Sequence, residues 1–466
     1  MRSHRFALRP WLALTLAAAL APAAPADDWP QWLGPRRDGV WREEGVLDRF
    51  PPGGPKVRWR VPIGSGYAGP AVAGKCVFVS DYVTRPGGKL PESGFSPRGQ
   101  RYRLPGAERV LCLDDASGQV LWEREYETVY DGLDYPAGPR ATPLVAGGKV
   151  YALGAMGDLR CLDAATGKPL WAKNFPKDFA APVQTWGFAA HPLLDGDRLI
   201  CLVGGDGSGV VAFHKDTGKE LWRNLSATAL GYAPPMIYTV GRARQLIVWT
   251  AEAVSALVPE TGKLLWEEPF NVKASLSVPT PLFDGERLLV TSFYNGALML
   301  KLDADKPGAT VLWKSMGRGE KPNLTDTLHS IIPTPVLKDG SIYGVCSYGE
   351  LRCLKADSGE RVWKTMAATR PLKAGKPDES PETEKDRWGN AFLVPHGDRY
   401  FLFNEHGELI IAKLSPQGYE EIDRARILQA DNRMPGRPVV WSHPAFAHKS
   451  AYARNDHEIV CVSLEK

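Results

Sequence analysis

The chain has 466 residues, and its 57 Lys and Arg nearly balance its 53 Asp and Glu, which leaves a net charge of only +4. A nucleic-acid partner is not predicted, because nucleic-acid binding needs a clustered basic face and no block of Lys and Arg occurs. Hydrophobic residues at 44% and charged residues at 24% exclude a disordered chain, and the 47 Gly and 39 Pro indicate many tight turns.

Residues 1–26 have the three parts of a secretory signal peptide. Arginines within the first nine residues precede an apolar run at 11–20, and Ala24-Pro25-Ala26 supplies the small residues of a cleavage site. We predict cleavage after Ala26 and a periplasmic or secreted protein. No later run reaches the ~18 apolar residues of a membrane-spanning helix, so no membrane span is predicted.

One motif recurs between residues 111 and 414: a short apolar strand, an Asp, a Thr-Gly or Ser-Gly pair, and a Leu-Trp or Val-Trp ending. The copies end at Trp122, Trp171, Trp222, Trp266, Trp313 and Trp363, and a weaker seventh copy at 407–414 lacks its Trp. The fifth copy, which ends at Trp313, has lost the Thr-Gly pair. Successive tryptophans lie 44 to 51 residues apart. A strand-rich period of this length predicts the blades of a β-propeller.

Each repeat contains the signals for four antiparallel strands. A Pro opens the first strand, as in Thr142-Pro143, where no ladder hydrogen bond needs the missing N–H. Asp-Gly or Gly-Gly pairs, such as Gly147-Gly148, supply the positive φ angles of the next hairpin turn. We therefore predict one all-β domain over residues 27–466, built from four-stranded antiparallel blades.

The two ends of the chain are predicted to complete one blade together. The last repeat stops after its third strand at 458–464, and residues 56–60, which contain Trp59, form a lone strand with no blade before it. Pairing them would close the ring and remove exposed strand edges, which otherwise invite aggregation. Seven internal copies and this composite blade predict an eight-bladed propeller. Because the seventh copy is weak, a seven-bladed ring is the alternative.

The repeat resembles the tryptophan-docking motif of pyrroloquinoline-quinone (PQQ)-type propellers, which include quinoprotein alcohol dehydrogenases and the outer-membrane assembly lipoprotein. Residues 29–40 also resemble the opening segment of exported PQQ-like repeat proteins of planctomycete-type bacteria, and the resemblance covers about residues 29–466. It implies that docking tryptophans stack between blades, and these are Trp122, Trp171, Trp222, Trp266, Trp313 and Trp363. Catalytic and non-catalytic proteins share the motif, so it implies a fold and not an activity.

The seven cysteines do not predict a disulfide framework, because their number is odd and neither a C-x-x-C motif nor an adjacent pair occurs. Cys112, Cys161 and Cys353 each precede a docking tryptophan by ten residues, at a position where other copies have Ala. We expect them to be small buried side chains rather than redox groups.

Resemblance to the quinoprotein dehydrogenases would imply an adjacent Cys-Cys disulfide, a catalytic Asp, and Glu and Asn ligands for Ca²⁺. The sequence has no Cys-Cys pair, and no compact calcium loop, c-type haem motif, Gly-x-Ser-x-Gly motif or zinc spacing occurs. No catalytic residue and no metal site are predicted. No cofactor is expected, although binding of PQQ stays open.

The residues that precede the first strand of each repeat, here called the approach segments, are rich in aromatic and polar side chains. They supply the candidate ligand-binding residues Tyr67, Arg140, Trp186, His191, Tyr232, His329, Trp388, Asn390, Trp441 and His443, with Tyr135 and Ser277 in equivalent places. In a propeller such segments surround one mouth of the central channel, and aromatic rings with a few polar groups suit a ligand. Structural packing of a narrow channel is the competing interpretation.

These features together predict an exported, non-catalytic PQQ-like propeller that acts as a ligand-binding or protein-interaction scaffold. Its expected partner is a protein, a glycan or a small molecule, and we expect a monomer. Two alternatives stay open: a PQQ-dependent or other small-molecule oxidoreductase, and a carbohydrate-binding or carbohydrate-acting protein that uses the aromatic mouth. Insertions at 84–107 and 367–387 are expected to be surface loops.

Overall fold

A computed structural model describes residues 27–86, 88, 103–376, 378–434 and 437–466. The predicted signal peptide lies outside the described residues, and so does most of the insertion at 84–107. Within the described chain, eight four-stranded antiparallel sheets follow one another as the blades of a propeller. The predicted all-β, eight-bladed fold is confirmed, and the seven-bladed alternative is wrong.

Strand β1 (Val57–Pro62) precedes the first complete blade. The first blade contains β2 (Ala71–Ala73), β3 (Cys76–Thr84), β4 (Arg103–Asp114) and β5 (Val120–Asp131), and the second contains β6 (Leu144–Ala146), β7 (Lys149–Leu153), β8 (Asp158–Asp163) and β9 (Pro169–Asn174). The third contains β10 (Leu193–Asp195), β11 (Arg198–Leu202), β12 (Val210–His214) and β13 (Glu220–Asn224), and the fourth contains β14 (Met236–Val240), β15 (Ala243–Trp249), β16 (Ala253–Leu257) and β17 (Leu264–Pro269). A short helix, α1 (Phe175–Phe179), follows β9.

The second half of the ring repeats this plan. The fifth blade contains β18 (Leu282–Phe283), β19 (Arg287–Ser292), β20 (Gly296–Leu302) and β21 (Ala309–Lys314), and the sixth contains β22 (Val336–Lys338), β23 (Ser341–Val345), β24 (Leu351–Lys355) and β25 (Arg361–Thr365). The seventh contains β26 (Ala391–His396), β27 (Arg399–Asn404), β28 (Glu408–Ser415) and β29 (Gly418–Arg426). A separate hairpin, β30 (Asn432–Met434) and β31 (Arg437–Val439), precedes the last blade, which contains β32 (Ala445–Ala447), β33 (Ser450–Arg454) and β34 (Glu458–Ser463). Single 3₁₀ turns lie at Lys273–Ser275, Pro322–Leu324 and Glu384–Asp386.

The first strands of the blades lie around the axis of the ring. They are short, two to five residues in the first six blades, and neighbouring first strands touch: β2 contacts both β6 and β32, and β18 contacts β22. The approach segments therefore end at the central channel, which is where the sequence predicted a mouth.

The hydrophobic core lies between neighbouring blades. Phe78 and Cys112 of the first blade pack against Val150 and Leu162 of the second, and similar clusters join the following blades. Burying a Val or Leu side chain contributes about 1.5–3 kcal/mol relative to leaving it exposed. The ring is held by many such contacts of modest size, repeated at successive interfaces.

The docking tryptophans make a recurring contact with the following blade. The indole N–H of Trp122 donates to the Ala164 carbonyl at 3.0 Å, and a Cβ on Gly167 would meet the ring of Trp122 at 2.5 Å. The same glycine contact joins Gly118 to Trp59, Gly218 to Trp171, Gly262 to Trp222 and Gly359 to Trp313. The motif glycine thus makes room for the indole of the preceding blade, and its positive φ suits the turn.

The carbonyl contact is made by five of the six predicted docking tryptophans. Indole N–H groups of Trp171, Trp222, Trp313 and Trp363 donate to carbonyls of the next blade at 2.8 to 3.1 Å. Trp266 differs, because its N–H donates to Gln245 Oε1 of its own blade at 2.7 Å. The fifth repeat, which follows Trp266, is the copy that lost its Thr-Gly pair.

The eighth blade is closed by the start of the chain. Strand β1 pairs antiparallel with β34, with Trp59 opposite Cys461 and Val61 opposite Ile459. The Trp59 indole N–H donates to the Asp115 carbonyl of the first blade at 2.7 Å. The predicted ring closure is therefore confirmed, and Trp59 makes the same inter-blade contact as the internal tryptophans.

All seven cysteines are free. Cys112, Cys161 and Cys353 are buried, and each lies directly opposite the tryptophan of its own blade in the strand register. Their position explains why the repeat requires a small side chain there. No helix in the described residues has the length and apolar character needed to cross a membrane.

Candidate functional site

The approach segments converge on one cavity of about 240 Å³ at the end of the central channel. Its lining consists of Trp32, Tyr67, Tyr135, Arg140, Trp186, Ala189, His191, Tyr232, Pro234, Leu276, Val278, Tyr294, Ile331, Ile332, Trp388, Phe392, Trp441 and His443. Every blade contributes at least one residue. Because each blade presents the same segment to the axis, aromatic residues far apart in sequence form one wall.

The floor of the cavity is Trp32. Its ring stacks on His191 with centroids 3.9 Å apart and an interplanar angle of 9°, and its centroid lies 4.9 Å from that of His443. The Trp32 indole N–H donates to Thr280 Oγ1 at 2.9 Å. Three blades on different sides of the channel thereby hold one side chain across it.

Trp32 belongs to an N-terminal segment, residues 28–48, that crosses the axis. Trp29 pairs with Val72 through two backbone hydrogen bonds of 2.9 Å. Arg37 donates to the carbonyls of Pro192 at 2.9 Å and Pro235 at 3.3 Å. The backbone N–H of Trp41 donates to the Pro395 carbonyl at 2.9 Å, which connects the segment to the seventh blade.

Aromatic pairs and the β30–β31 hairpin form the upper wall. Trp186 meets Tyr232 edge to face at 5.6 Å, and Tyr135 lies 5.9 Å from Trp441. Met434 and Val439, which belong to the hairpin and are buried, pack in one cluster with Tyr67, Tyr135, Trp186, Trp388 and Trp441. The hairpin is therefore part of the site.

Two of the wall residues have strained backbones. Tyr135 has φ 52° and Trp388 has φ 65°, in the left-handed region that bulky side chains rarely adopt. Such conformations cost about 1–3 kcal/mol each and cluster at functional sites, where the surrounding structure enforces them. With these backbone conformations, both side chains lie in the cavity lining.

The two cavity histidines are neutral near pH 7. His191 Nδ1 accepts the Thr142 backbone N–H at 2.9 Å, which assigns the ring proton to Nε2. His443 Nδ1 lies 2.6 Å from the Pro444 carbonyl, which assigns its proton to Nδ1. Burial lowers the pKa of His191 well below 6.5, with a further contribution from Arg37, and burial lowers the pKa of His443 to about 4.

Arg140 is the one charged side chain in the cavity lining of the described chain. Its guanidinium donates to the carbonyls of Gly138, Asp134 and Tyr135, and lies 5.3 Å from the centroid of the Tyr67 ring. Burial lowers the pKa of Arg140, but its ordinary value is so high that the group stays protonated.

A family model of PQQ repeats, described as outer membrane protein assembly factor BamB, matches residues 106–365, more than half of the chain. The chain belongs to this PQQ-repeat family. A curated relative, the outer membrane protein assembly factor BamB of Burkholderia pseudomallei, is 26% identical over 240 residues, which are 49% of this chain and 56% of the relative. The match thus spans little more than half of the relative's length.

Solved PQQ-repeat propellers share the fold. BamB from Moraxella catarrhalis matches with a TM-score of 0.52 and 15% identity, over 87% of this chain and 98% of that one. Quinohemoprotein alcohol dehydrogenase from Comamonas testosteroni matches with a TM-score of 0.59 and 13% identity, over 94% of this chain and 81% of the enzyme. At these identities the likeness establishes architecture alone.

Eight of the ten candidate ligand-binding residues line the cavity of this PQQ-repeat propeller. They are Tyr67, Arg140, Trp186, His191, Tyr232, Trp388, Trp441 and His443. Ligand binding by these residues stays a prediction.

The other two candidates lie outside the lining. His329 is fully buried, with Nδ1 3.1 Å from the Phe293 carbonyl, so its ring faces the fifth blade while the nearby Ile331 and Ile332 face the cavity. Asn390 Nδ2 donates back to the Trp388 carbonyl at 2.9 Å, and this bond directs the amide away from the lining.

Sequence reasoning missed the floor and the hairpin. Trp32 lies in the 29–40 segment, which was noted for its resemblance but not placed in space. The β30–β31 hairpin has short, mostly polar strands and no repeat motif that would predict it. Its apolar residues Met434 and Val439, which are buried, are the signal that could have indicated it. Phe392, inside strand β26, was not distinguished from core residues.

The cavity residues of this PQQ-repeat propeller do not fit a calcium-bound quinone. The lining contains no Asp, Glu or Cys, and the described chain holds no group of three or more His, Cys, Asp or Glu arranged to bind a metal. Oxygen ligands, mostly carboxylates, are what Ca²⁺ requires. No reaction step through PQQ is therefore derived.

A serine–histidine–aspartate cluster outside the cavity also lacks catalytic geometry. Ser315 Oγ and Asp326 Oδ1 both lie 3.4 Å from the same nitrogen of His329, Nε2. In a catalytic triad the Asp must hold Nδ1 so that Nε2 is available to the Ser. Here Nδ1 faces the Phe293 carbonyl, and the cluster fastens the loop after β21.

Proposed function

We propose that this chain is an exported, non-catalytic PQQ-repeat propeller of the cell envelope that acts by binding, and that the aromatic cavity is its ligand site. The observation that carries the proposal is the convergence of all eight approach segments on one mostly apolar cavity with few polar groups. Ligand sites have this composition. The described lining contains no acidic side chain, and its two histidines are neutral.

The strained wall residues support a ligand site over simple packing of the channel. A channel filled only for stability has no need of Tyr135 and Trp388 in left-handed conformations, because unstrained apolar side chains would fill it at lower cost. The space between the rings likewise has no structural purpose, since well-packed interiors contain few voids larger than a water molecule.

The family description adds a role in envelope protein assembly. Relatives named outer membrane protein assembly factors support a protein partner for this chain, contacted outside the cavity. The insertion at 367–387, expected to be a surface loop, is buried at its start, at residues 367–370. Buried Arg370 makes two hydrogen bonds with Asp386 at 3.0 and 2.8 Å, and Thr383 caps the 3₁₀ turn, so the exposed part of the insertion is held in place. We favour ligand binding in the cavity over a protein partner as the main function, because residues from all eight blades line the cavity.

Titration with one-ring compounds tests the proposed site. Isothermal calorimetry with benzoate, benzamide, phenol and methyl glucoside is expected to give binding of at least one compound to the full-length exported protein. Ala189→Trp, which fills the lined space, should abolish that binding, and the matched control Ala165→Trp on an exposed turn should leave it unchanged. Absence of binding for all four compounds would contradict the proposed site.

The same protein separates the rival functions. Incubation with PQQ and Ca²⁺ followed by dye-linked oxidation of alcohols and sugars is expected to give no turnover. Turnover abolished by Ala189→Trp would establish the oxidoreductase alternative instead. Binding of methyl glucoside alone would favour the carbohydrate alternative.

A further inference from the structure

Arg140 is a cation in the cavity lining that makes no direct ion pair among the described residues, although the more distant carboxylate of Glu108 attracts it. Its three hydrogen bonds go to backbone carbonyls, and among the described residues no carboxylate lies within ion-pair distance of it. A guanidinium has five N–H groups, so two remain beyond these three bonds. A charge removed from water is costly unless a counter-charge compensates it.

Other arginines near the mouth are treated differently by the fold. Arg387 pairs with Glu320 at 2.8 Å, and Arg437 pairs with Glu405 at 2.7 Å. Arginines bound only by carbonyls also occur, but Arg37 and Arg454 lie outside the lining of this cavity. Arg140 combines the lack of a direct ion pair with a place in the cavity wall.

Among the described lining residues, Arg140 is the only charged side chain, and no carboxylate belongs to that lining. His191 and His443 are neutral at pH 7 because burial lowers the pKa of both. Their Nε2 atoms provide one donor and one acceptor by the tautomers assigned above. A ligand is therefore met by one positive group, and a second negative charge on it would be buried without a partner.

The rest of the cavity lining is mostly apolar and therefore favours a ligand whose main part is apolar. Leu276, Val278, Ile331 and Ile332 face aromatic rings from the other blades across the space. The volume of about 240 Å³ is below the 300–1,000 Å³ typical of drug-sized ligands, so one ring with short substituents suits it. Aromatic pairs gain from edge-to-face and offset contacts, which a flat ring can make on several sides.

We propose that the cavity recognises a small hydrophobic monocarboxylate, one apolar ring bearing a single carboxylate, and that Arg140 binds the carboxylate. The inference rests on the proposed function, since it names the ligand class of that same site. Charge-assisted hydrogen bonds from Arg to a carboxylate are stronger than neutral ones. Because both hydrogens of Arg140 Nη2 are used by the carbonyls of Asp134 and Tyr135, the ligand carboxylate accepts from Nε or from the second hydrogen of Nη1.

Wild-type protein alone tests the ligand class. Calorimetry is expected to show that benzoate binds about tenfold tighter than benzamide, which has the same shape without the charge. Terephthalate, with a second carboxylate, is expected to bind more weakly than benzoate. Equal affinities for benzoate and benzamide would overturn this inference while leaving the proposed ligand site intact, and so would binding of phenol or methyl glucoside without binding of benzoate. Absence of binding for all four compounds would overturn both.

Substitution of Arg140 tests the assigned residue. Arg140→Met should lower benzoate affinity about ten- to a hundredfold and change benzamide affinity less than about threefold, and Arg140→Lys should fall between. The matched control is Arg361→Met, on the exposed outer strand of the sixth blade, which should alter neither affinity. Retention of the benzoate preference in a folded Arg140→Met protein would overturn the role given to Arg140.

Discussion

At the scale of single residues, the tryptophan and the motif glycine form one unit across two blades. Gly218 has φ 66°, and a Cβ there would meet the Trp171 ring at 2.7 Å, so no other residue fits without a shift. The Trp171 N–H donates to the Lys215 carbonyl at 2.9 Å, which satisfies the buried polar end of the ring. The repeat therefore encodes a contact between neighbours and not only a blade.

Trp171→Ala is expected to destabilise the protein by about 3–5 kcal/mol, because a large side chain leaves a cavity between two blades. Trp266→Ala should cost at least about 1 kcal/mol less, since Trp266 bonds within its own blade and has no motif glycine beneath it. Urea unfolding followed by far-ultraviolet circular dichroism compares the two. Equal losses would show that the inter-blade contact adds nothing to the burial of an indole.

At the scale of elements, the N-terminal segment joins three parts of the ring at one histidine. His448 Nδ1 lies 3.1 Å from Asp115 of the first blade, and its Nε2 lies 3.2 Å from Asp28 of the segment. The hydrogen bonds to Asp115 and then Asp28 raise the pKa of His448. Tyr452 and Arg58 also contact Asp115, so two carboxylates, one arginine and one histidine meet at this position.

The free energy of unfolding should therefore depend on pH through His448. A histidine with a raised folded pKa stabilises fully below its unfolded value of about 6.5 and loses that contribution as pH rises through the folded value. His448→Gln is expected to cost about 1–2 kcal/mol at pH 5.5 and clearly less at pH 8.5. Urea midpoints at several pH values measure the difference.

His457→Gln is the control for this pH dependence. His457 also has a raised pKa through one carboxylate, Asp431, but its side chain is 79% exposed, so its loss should change stability little at any pH. A pH-independent cost of His448→Gln would contradict the charged bridge.

At the scale of the whole molecule, β1 is the strand that completes the last blade and closes the ring. Without it, β34 would present an unpaired edge and Gly118 would lose the Trp59 ring. Exposed edges of this kind template aggregation. The chain ends are thus structurally one blade although they are about 400 residues apart.

A protein that lacks residues 27–62 is expected to aggregate and to unfold at lower urea concentration than the complete chain. A synthetic peptide of residues 27–62 should restore a monomer when added in trans, because it supplies both the missing strand and the N-terminal segment. A peptide with residues 57–62 in scrambled order is the control. A monomeric truncated protein of unchanged stability would contradict the role of β1.

The features that recur in every repeat could be predicted from the sequence. The blade count follows from the tryptophan motif, the closing strand from the incomplete last repeat, and eight lining residues from the approach segments. Each prediction works because equivalent positions of a repeat occupy equivalent places around an axis. Trp32 and the β30–β31 hairpin were missed because they occur once and are positioned by contacts with distant blades. His329 was misplaced because sequence spacing does not determine which way a ring turns within an approach segment.

Trp32, the floor of the cavity, and the closing strand β1 (Val57–Pro62) both belong to the N-terminal part of the chain. A ligand that contacts Trp32 and binds only the closed ring would therefore raise the free energy of unfolding by RT ln(1 + [L]/Kd). Under the proposed function, loss of the ligand would therefore also lower the stability of the closed ring.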